Sequence, residues 1–477
     1  MDILFISPDS SQEVYQGLAN QYSAIETPVW AVLLATALKE EYEVGILDPL
    51  ASGLSDHRAW MHIARHRPKL ICFVVYGQNP NSGTTNMAGA ERLAKLIKLH
   101  DAYTPIAFIG PHASALPEQT LSRPYVDYVL PGDGLQGIRD IMKGAKPGII
   151  WSPLSHFRTY DWSFLPSLDH YRCHTWHSNF DESKRSPFAS IYTSLGCTFK
   201  CDFCMINMVN RVGPHQRDAA EASGMRFFPE NDVLNTLEDL QSRGVHNVRL
   251  SDEMFFLNRR HYAPIVRGIV ERKIDLNLWA YARVDTVRPE YLEDFKRAGI
   301  NWLCLGIESA NQTIRREVSK DSFETVDVRQ VVKEIKAAGI NVLANFIFGL
   351  PDEDEKAMKE TLDLALELRA EHTNFYPCMA LPGSPLYRQA VMEGVALPEE
   401  FSGYSFHSYD CQPLATKHLS AAEVLAFRDY AWETTTLNED YLMMVDRKFG
   451  EGTSQAIARQ ALIKLKRKLL EPERTAA

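Results

Sequence analysis

The run SLGCTFKCDFC at residues 194–204 places three cysteines, Cys197, Cys201 and Cys204, in C-x₃-C-x₂-C spacing. Three thiolates on one short loop hold three irons of a cubane, whereas an ordinary [4Fe–4S] site has four cysteine ligands. A cluster held this way leaves one iron open to a small molecule, which is a catalytic arrangement. Zinc is the competing reading. It normally takes C-x₂₋₄-C with a distant second pair of ligands, and His215 or His261 offers a fourth ligand outside any paired motif. Three buried structural cysteines are a third reading.

Outward from this loop the chain repeats a strand-then-helix rhythm. Strand-like runs lie at ASIYTS (189–194), NVRLS (247–251), DLNLWAYA (275–282), NWLCLGI (301–307), NVLANFIF (341–348) and NFYPCM (374–379). Helical patterns fill 231–243, 259–272, 289–298, 326–338 and 354–370. Six βα-type repeats over residues 186–385 predict a partial (β/α)6, TIM-like barrel, with its chemistry at the C-terminal ends of the strands. The cysteine loop follows the first strand, where that rule puts it.

Ahead of the barrel, DILFIS (2–7), YEVGILD (42–48), KLICFVVY (69–76), PIAFIG (105–110) and VDYVL (126–130) alternate with helical stretches at 28–40, 86–100 and 133–143. Continuous apolar strands separated by helices predict a parallel sheet covered on both faces. Residues 1–145 are therefore expected to form a Rossmann-like α/β domain with its ligand beyond the strand ends. Gly132–Gly137 matches G-x-G-x-x-G, but it follows the fifth strand, whereas a dinucleotide fingerprint belongs at the first βα turn. Residues 146–185 form an aromatic-rich connector, either a cleft lining or a packed strap, and 386–477 is expected to be mostly helical with an aromatic segment at GYSFHSYD (403–410).

Composition narrows the class. A net charge of −10 argues against a broad nucleic-acid surface. No apolar run approaches the roughly 20 residues that cross a bilayer, and MDILFISPDSS lacks the features of a signal peptide. Eight scattered cysteines form no disulfide framework and suit a reducing cytoplasm. KLKRK (464–468) is expected to be the solvated face of a last helix, with membrane-surface or partner binding as the lesser reading.

The cysteine run resembles the signature of the radical S-adenosylmethionine (SAM) superfamily. That resemblance implies that the open iron is chelated by the amino and carboxylate groups of SAM, with Phe203 near the adenine. GPHASALPEQTL (110–121) and VDYVLPGDG (126–134) resemble the cobalamin-binding domain found ahead of many radical SAM domains. The corrin would then lie against Tyr76, Gly77, Gly110, Pro111, His112, Ser114, Gly132 and Gly134. No D-x-H-x-x-G motif is present, so no histidine is marked as a lower cobalt ligand.

At the other strand ends, Ser251, Asp252 and Glu253 stand where the family meets the SAM ammonium, and a carboxylate suits that contact. Arg283 can hold the SAM carboxylate in bidentate fashion, Glu308 and Ser309 can reach ribose or amino groups, and Gly349 lets backbone approach the adenine. Each has a plainer alternative: a surface pair with Asp285, a helix cap, a simple turn. Cys378 is more readily a buried small hydrophobe than a radical-quenching thiol, and Tyr376 shares the ambiguity.

The resemblance implies a cobalamin-dependent radical SAM enzyme that cleaves SAM to a 5′-deoxyadenosyl radical and modifies an unactivated carbon. C-methylation of a small-molecule, lipid or natural-product intermediate is expected, with flavodoxin or ferredoxin as reductant. Rearrangement or cyclisation without methyl transfer is the alternative. A tRNA methylthiotransferase is disfavoured, because only Cys72 and Cys173 precede the motif. A zinc or electron-transfer protein is the alternative of another class.

Overall fold

In the computed structural model, residues 1–18, 22–77, 80–320 and 326–472 are described. The N-terminal sheet has six strands: β1 (Ile3–Ile6), β2 (Val44–Leu47), β3 (Leu70–Val74), β4 (Ile106–Ile109), β5 (Tyr128–Leu130) and β6 (Gly148–Ile149). They run parallel in the order β2-β1-β3-β4-β5-β6. β1 and β3 are buried along their whole length, which is why their sequences are apolar without alternation. β6 lies beyond the expected boundary at 145. Its two residues carry too little pattern to be legible, yet they pair with Tyr128 and Val129. Strand order reverses around β1, so a crevice opens where the chain leaves β1 and β3.

The second sheet contains β7 (Phe188–Ile191), β10 (Asn247–Leu250), β11 (Asn277–Arg283), β12 (Ile300–Glu308), β13 (Asn341–Phe348) and β14 (His372–Pro377), with β8 (Ser194–Cys197) and β9 (Gly224–Phe227) forming a separate antiparallel pair. The six parallel strands run β14-β13-β12-β11-β10-β7. They make an open half-barrel with helices outside. The run expected as one strand at 189–194 divides between β7 and β8. The break falls at Tyr192–Thr193, because Asp252 captures both the Thr193 amide and its hydroxyl. A further helix, Gln312–Glu317, lies beyond those expected from the sequence.

An open half-barrel has two strand edges and an uncovered bottom. At the β7 edge, Thr27 Oγ1 accepts from the Ser190 amide at 3.0 Å, and Glu26 accepts from the Ser190 hydroxyl at 2.6 Å. The adjoining helix Val29–Leu38 is apolar nearly all round because it is buried on nearly all sides. The connector closes the bottom: Trp176 packs on Trp279 and Trp302 with ring centroids 5.2 and 5.1 Å apart, and His177 exchanges hydrogen bonds with Asn277. Helix Ala421–Thr436 packs on the β14 side, where Arg428 donates to the Phe375 carbonyl at 2.7 Å.

The KLKRK stretch is not a helix face. The last long helix ends at Ala461, and residues 463–467 run non-helically back to the N-terminal segment. There the Gln16 side-chain amide pairs with the backbone of Lys466 in both directions. Arg467 is buried, in a two-pronged ion pair with Asp429 and bonded to the carbonyls of Phe406 and Ser408. Lys464 pairs with Glu433. No helix among the described residues is long and apolar enough to cross a membrane.

Removing one partner of a buried, hydrogen-bonded pair costs about 3 kcal/mol or more. Arg467→Ala is therefore expected to lower stability by about that amount in urea denaturation. Limited proteolysis should cut the freed strap first.

Candidate active site

The cysteine loop is held from both ends. β8 brings Cys197 opposite Gly224 of β9. Gly196 has φ +83°, and a Cβ there would stand 2.3 Å from the Asn210 side chain and from the Gly224 carbonyl. Only glycine fits. Asp252, wholly buried, accepts from the Thr193 amide and from the hydroxyls of Thr193 and Ser194. Beyond the loop, Asn207 Oδ1 accepts from the Cys197 amide at 2.8 Å. Burial pushes the three thiols up, Cys197 to about 12. At Cys201 the Lys320 and Arg283 charges oppose that shift.

The loop opens onto a cavity of about 690 Å³ between the C-terminal ends of the two sheets. Cys197, Cys201, Cys204, Phe203, Glu253, Arg283 and Glu308 line it, as do Tyr376 and Cys378. From the N-terminal domain come Ser7 and Pro8 after β1 and Tyr76 and Gly77 after β3. These four residues flank the crevice where the strand order reverses.

Three of the lining groups have telling surroundings. Glu253 has a buried Oε1 with no hydrogen-bond partner, and burial, opposed by Arg249, raises its carboxyl to about 8. Arg283 is no surface pair: it is buried, forked onto Asp285 at 3.0 and 3.1 Å, with its guanidinium 3.7 Å from the centre of the Phe199 ring. Glu308 sits at φ +68°, where β12 and β13 shift register, and pairs with buried Lys320. Such a backbone for a glutamate persists only where its surroundings impose it. Lys320 also stands 5.7 Å from the Phe203 ring. It was missed in the sequence because it lies in no strand end; only the fold brings it back beside Glu308.

Other expected site residues lie away from the cavity wall. Asp252 is spent on the cysteine hairpin. Ser309 is buried beside Glu353 and Thr361. Gly349 donates to Glu353 at 2.7 Å, and a Cβ there would strike Val424, so the turn itself requires glycine. Glu353 also accepts from the Leu350 amide, and burial raises its carboxyl to about 7.

Gly110, Pro111, His112, Ser114, Gly132 and Gly134, expected against a corrin, lie in or beside the seam between the domains. Gly110 has φ +143°, and a Cβ there would stand 2.3 Å from the Val75 carbonyl, so the position requires glycine. Pro111 opens the short helix Pro111–Ala115. His112 is buried 3.2 Å from Thr84 Oγ1, and burial drives it down to about 3. Ser114 accepts from the Gly132 amide, and its carbonyl takes the Arg211 guanidinium at 2.5 Å. Gly134 caps helix Leu135–Met142 against Ile109. Between Gly132 and Gly134, Asp133 pairs with Arg226 of β9. These loops dock the domains together.

The zinc reading finds its extra ligands engaged or exposed to solvent. His261 is 2.9 Å from Thr193 Oγ1, and burial takes it down to about 4. His215 is exposed. The residues do fit the groups that the resemblance implies: three thiols on one braced loop for a cluster, an unpartnered buried carboxylate oxygen for an ammonium, and a buried, unpartnered Tyr76 hydroxyl beside Gly77 at the crevice for a corrin.

Residues 191–365 match the radical SAM superfamily, and residues 15–141 match the B12 binding domain. The chain belongs to the radical SAM enzymes that carry a B12-binding domain. Within that class its similarities include methyltransferases and anaerobic magnesium-protoporphyrin IX monomethyl ester cyclases. An uncharacterised methyltransferase of Pyrococcus horikoshii is 25% identical over 398 residues, covering 79% of this chain and 81% of the relative. Tryptophan 2-C-methyltransferase of Streptomyces laurentii is 27% identical over 205 residues, but the match spans only 39% of this chain and 31% of that protein. The structure of the radical SAM methyltransferase TsrM from Kitasatospora setae, with cobalamin and a [4Fe-4S] cluster bound, aligns with a TM-score of 0.64 at 17% identity. It covers 97% of this chain and 99% of that one, so the two share a fold.

Asp252→Ala removes the anchor of the cysteine hairpin without touching the cavity wall. Anaerobically reconstituted variant is expected to bind substantially less iron per chain than wild type, by colorimetric iron assay, while far-ultraviolet circular dichroism stays unchanged.

Proposed function

We propose that this protein is a cobalamin-dependent radical SAM C-methyltransferase whose substrate is a small, uncharged or cationic molecule bound between the two domains. The observation that carries the reading is the shared cavity: one wall is the cysteine loop, and the facing wall is the strand-order reversal of the B12-binding domain. When bound, the cluster with SAM supplies a 5′-deoxyadenosyl radical and the corrin supplies the methyl group. The protein's work is to place these against one carbon and exclude water.

Cys197, Cys201 and Cys204 hold the cluster. Glu253 accepts from the SAM ammonium, while Arg283 and Lys320, released in part from Asp285 and Glu308, face its carboxylate. Phe203 packs beside the adenine, and Tyr76 and Gly77 meet the corrin. Phe406, His407 and Trp432 close the chamber on its far side.

Charge selects the substrate class. Arg249 pairs with Glu26, Arg283 with Asp285, Lys320 with Glu308, Arg428 with Asp429 and Lys464 with Glu433, so each of these cations in the lining already has its acid. His174 and His372 are driven down to about 3 and about 4 by burial and stay neutral near pH 7. Trp279, Tyr281 and Tyr376 supply aromatic walls, with Asn345 and Asn374 as neutral hydrogen-bonding groups. With Arg283 and Lys320 turned to the SAM carboxylate and Arg249, Arg428 and Lys464 held by their acids, a phosphate ester would be desolvated there without a cation left to receive it. Flavodoxin or ferredoxin would reach the cluster from the outer side of its loop, where Thr198 and Lys200 are exposed.

Two measurements test this reading. With methyl-labelled SAM, reductant, cobalamin and a competent substrate, label is expected in the product, accompanied by both 5′-deoxyadenosine and S-adenosylhomocysteine. Product and 5′-deoxyadenosine without label or S-adenosylhomocysteine would replace methylation by rearrangement or cyclisation. The second concerns Glu253. Its folded carboxyl holds a proton up to about pH 8, against an ordinary value of 4.5. This group's contribution to stability is therefore full at low pH and lost as pH rises through about 8. In SAM-free protein, Glu253→Gln should gain on wild type by roughly 1–2 kcal/mol between about pH 5 and about pH 8, a modest figure because the cavity admits water. The same variant should bind SAM on the order of a hundredfold more weakly.

A further inference from the structure

We propose that Asn81, in the loop that follows β3, is a positioning residue for the cluster: it donates a hydrogen bond from the B12-binding domain to the Cys204 sulfur and raises the cluster's reduction potential. The inference rests on the reading that the cysteine loop carries a cluster, and it concerns a residue 123 positions away from that sulfur.

Chemistry at the sulfur decides which end of the amide does what. Asn81 Oδ1 accepts from the Met205 amide at 3.1 Å, immediately after the third cysteine. Both ends of the amide stand 3.9 Å from Cys204 Sγ, so the free thiol can donate to Oδ1 while Nδ2 can donate to the sulfur. A sulfur that ligates iron has no proton to give, and with the cluster in place only the Nδ2 donation remains. One side chain thus grips both the backbone and the sulfur of the last ligand. Asn207 braces the other end of the loop from within its own domain, at the Cys197 amide.

The loop that carries Asn81 is itself braced. A Cβ at Gly77 would stand 2.2 Å from Ser82 Oγ, so Ser82 is pressed against the chain leaving β3. Asn86 donates to the Tyr76 carbonyl at 2.9 Å, and Thr85 to that of Ser82 at 2.8 Å. The residues beside Asn81 are therefore packed on Tyr76 and Gly77, the pair facing the crevice of the first sheet. An amide presented in this way has little freedom to turn from the sulfur.

The consequence follows from electrostatics. Reduction adds an electron to a buried cluster, and an N–H directed at a ligand sulfur stabilises the more negative state, so the potential rises. Replacing the donor by an acceptor oxygen of negative charge does the opposite. Asn81→Asp keeps an acceptor for the Met205 amide while reversing what Cys204 meets; Asn81→Ser has a side chain too short to span to the sulfur and adds no charge.

The experiment is an anaerobic redox titration of full-length reconstituted protein, wild type and both variants, in the absence of substrate. It follows the electron paramagnetic resonance signal of the reduced cluster, with iron counted for each sample. Both variants are expected to keep the wild-type iron content and to titrate at lower potential, Asn81→Asp lower than Asn81→Ser. Unchanged potentials in both variants at full iron content would overturn the proposal. So would loss of iron from both with secondary structure intact, which would make Asn81 a structural clasp only. A wild-type protein that takes up no iron defeats the cluster reading itself, a failure distinguishable from the other two.

Discussion

A six-stranded parallel half-barrel cannot close on itself, and everything else in this chain answers to that constraint. Its concave face is lined by aromatic and polar side chains, its two edge strands carry unpaired backbone groups, and its bottom is open. Each exposure is met by a different part of the chain. Glu26 and Thr27 fasten onto Ser190 in β7, the helix bearing Arg428 packs on β14, and Trp176 plugs the bottom. Only the C-terminal ends of the strands are left, and there the first sheet presents its own open crevice. The shared cavity follows from closing every other face.

This explains why the parts of the chain with the least regular sequence make some of the most specific contacts. The connector contributes Tyr160, whose hydroxyl exchanges hydrogen bonds with the amide and carbonyl of Tyr192, at the break between β7 and β8. The strap at residues 463–467 ends in an arginine buried among an aspartate and two carbonyls. A run of basic residues suggests solvent because isolated charge belongs there. Arg467 is buried because Asp429 and the carbonyls of Phe406 and Ser408 satisfy it, and none of these is its neighbour in sequence.

The two sheets and the order of their elements were legible because long apolar runs and helical spacing are local signals. The cysteine spacing was legible for the same reason. β6 and β9 were not: two residues at an edge and four in a short antiparallel pair carry no periodicity of their own. Among site residues, those at or just past a strand's C-terminal end that line the cavity, such as Glu253, Arg283 and Glu308, could be found by position. Lys320 and Asn81 could not, since each reaches the cysteine loop by a return of the chain that no spacing announces. The glycine-rich loops after β4 and β5 were legible as close approaches, but what they approach within the protein was not. Glycine permits close approach without saying to what, and the approaches seen are to the carbonyls of Val75 and Arg211.

The sequence Ser251-Asp252-Glu253 shows how finely a strand end divides labour. Consecutive residues leaving a strand point to opposite sides, so two adjacent carboxylates enter different environments. Asp252 turns toward β8, where two hydroxyls and a backbone amide satisfy it. Glu253 turns toward the cavity, where one oxygen is buried without a partner. Burial raises both carboxyls, Asp252 to about 6 against those three donors and Glu253 to about 8 with no comparable compensation. Of these two neighbours only Glu253 is left with an unsatisfied carboxyl oxygen, and it lines the same cavity as the cysteine loop. A buried carboxyl oxygen that the protein leaves unsatisfied at the rim of a cavity beside the cysteine loop is placed to receive a donor from a bound molecule.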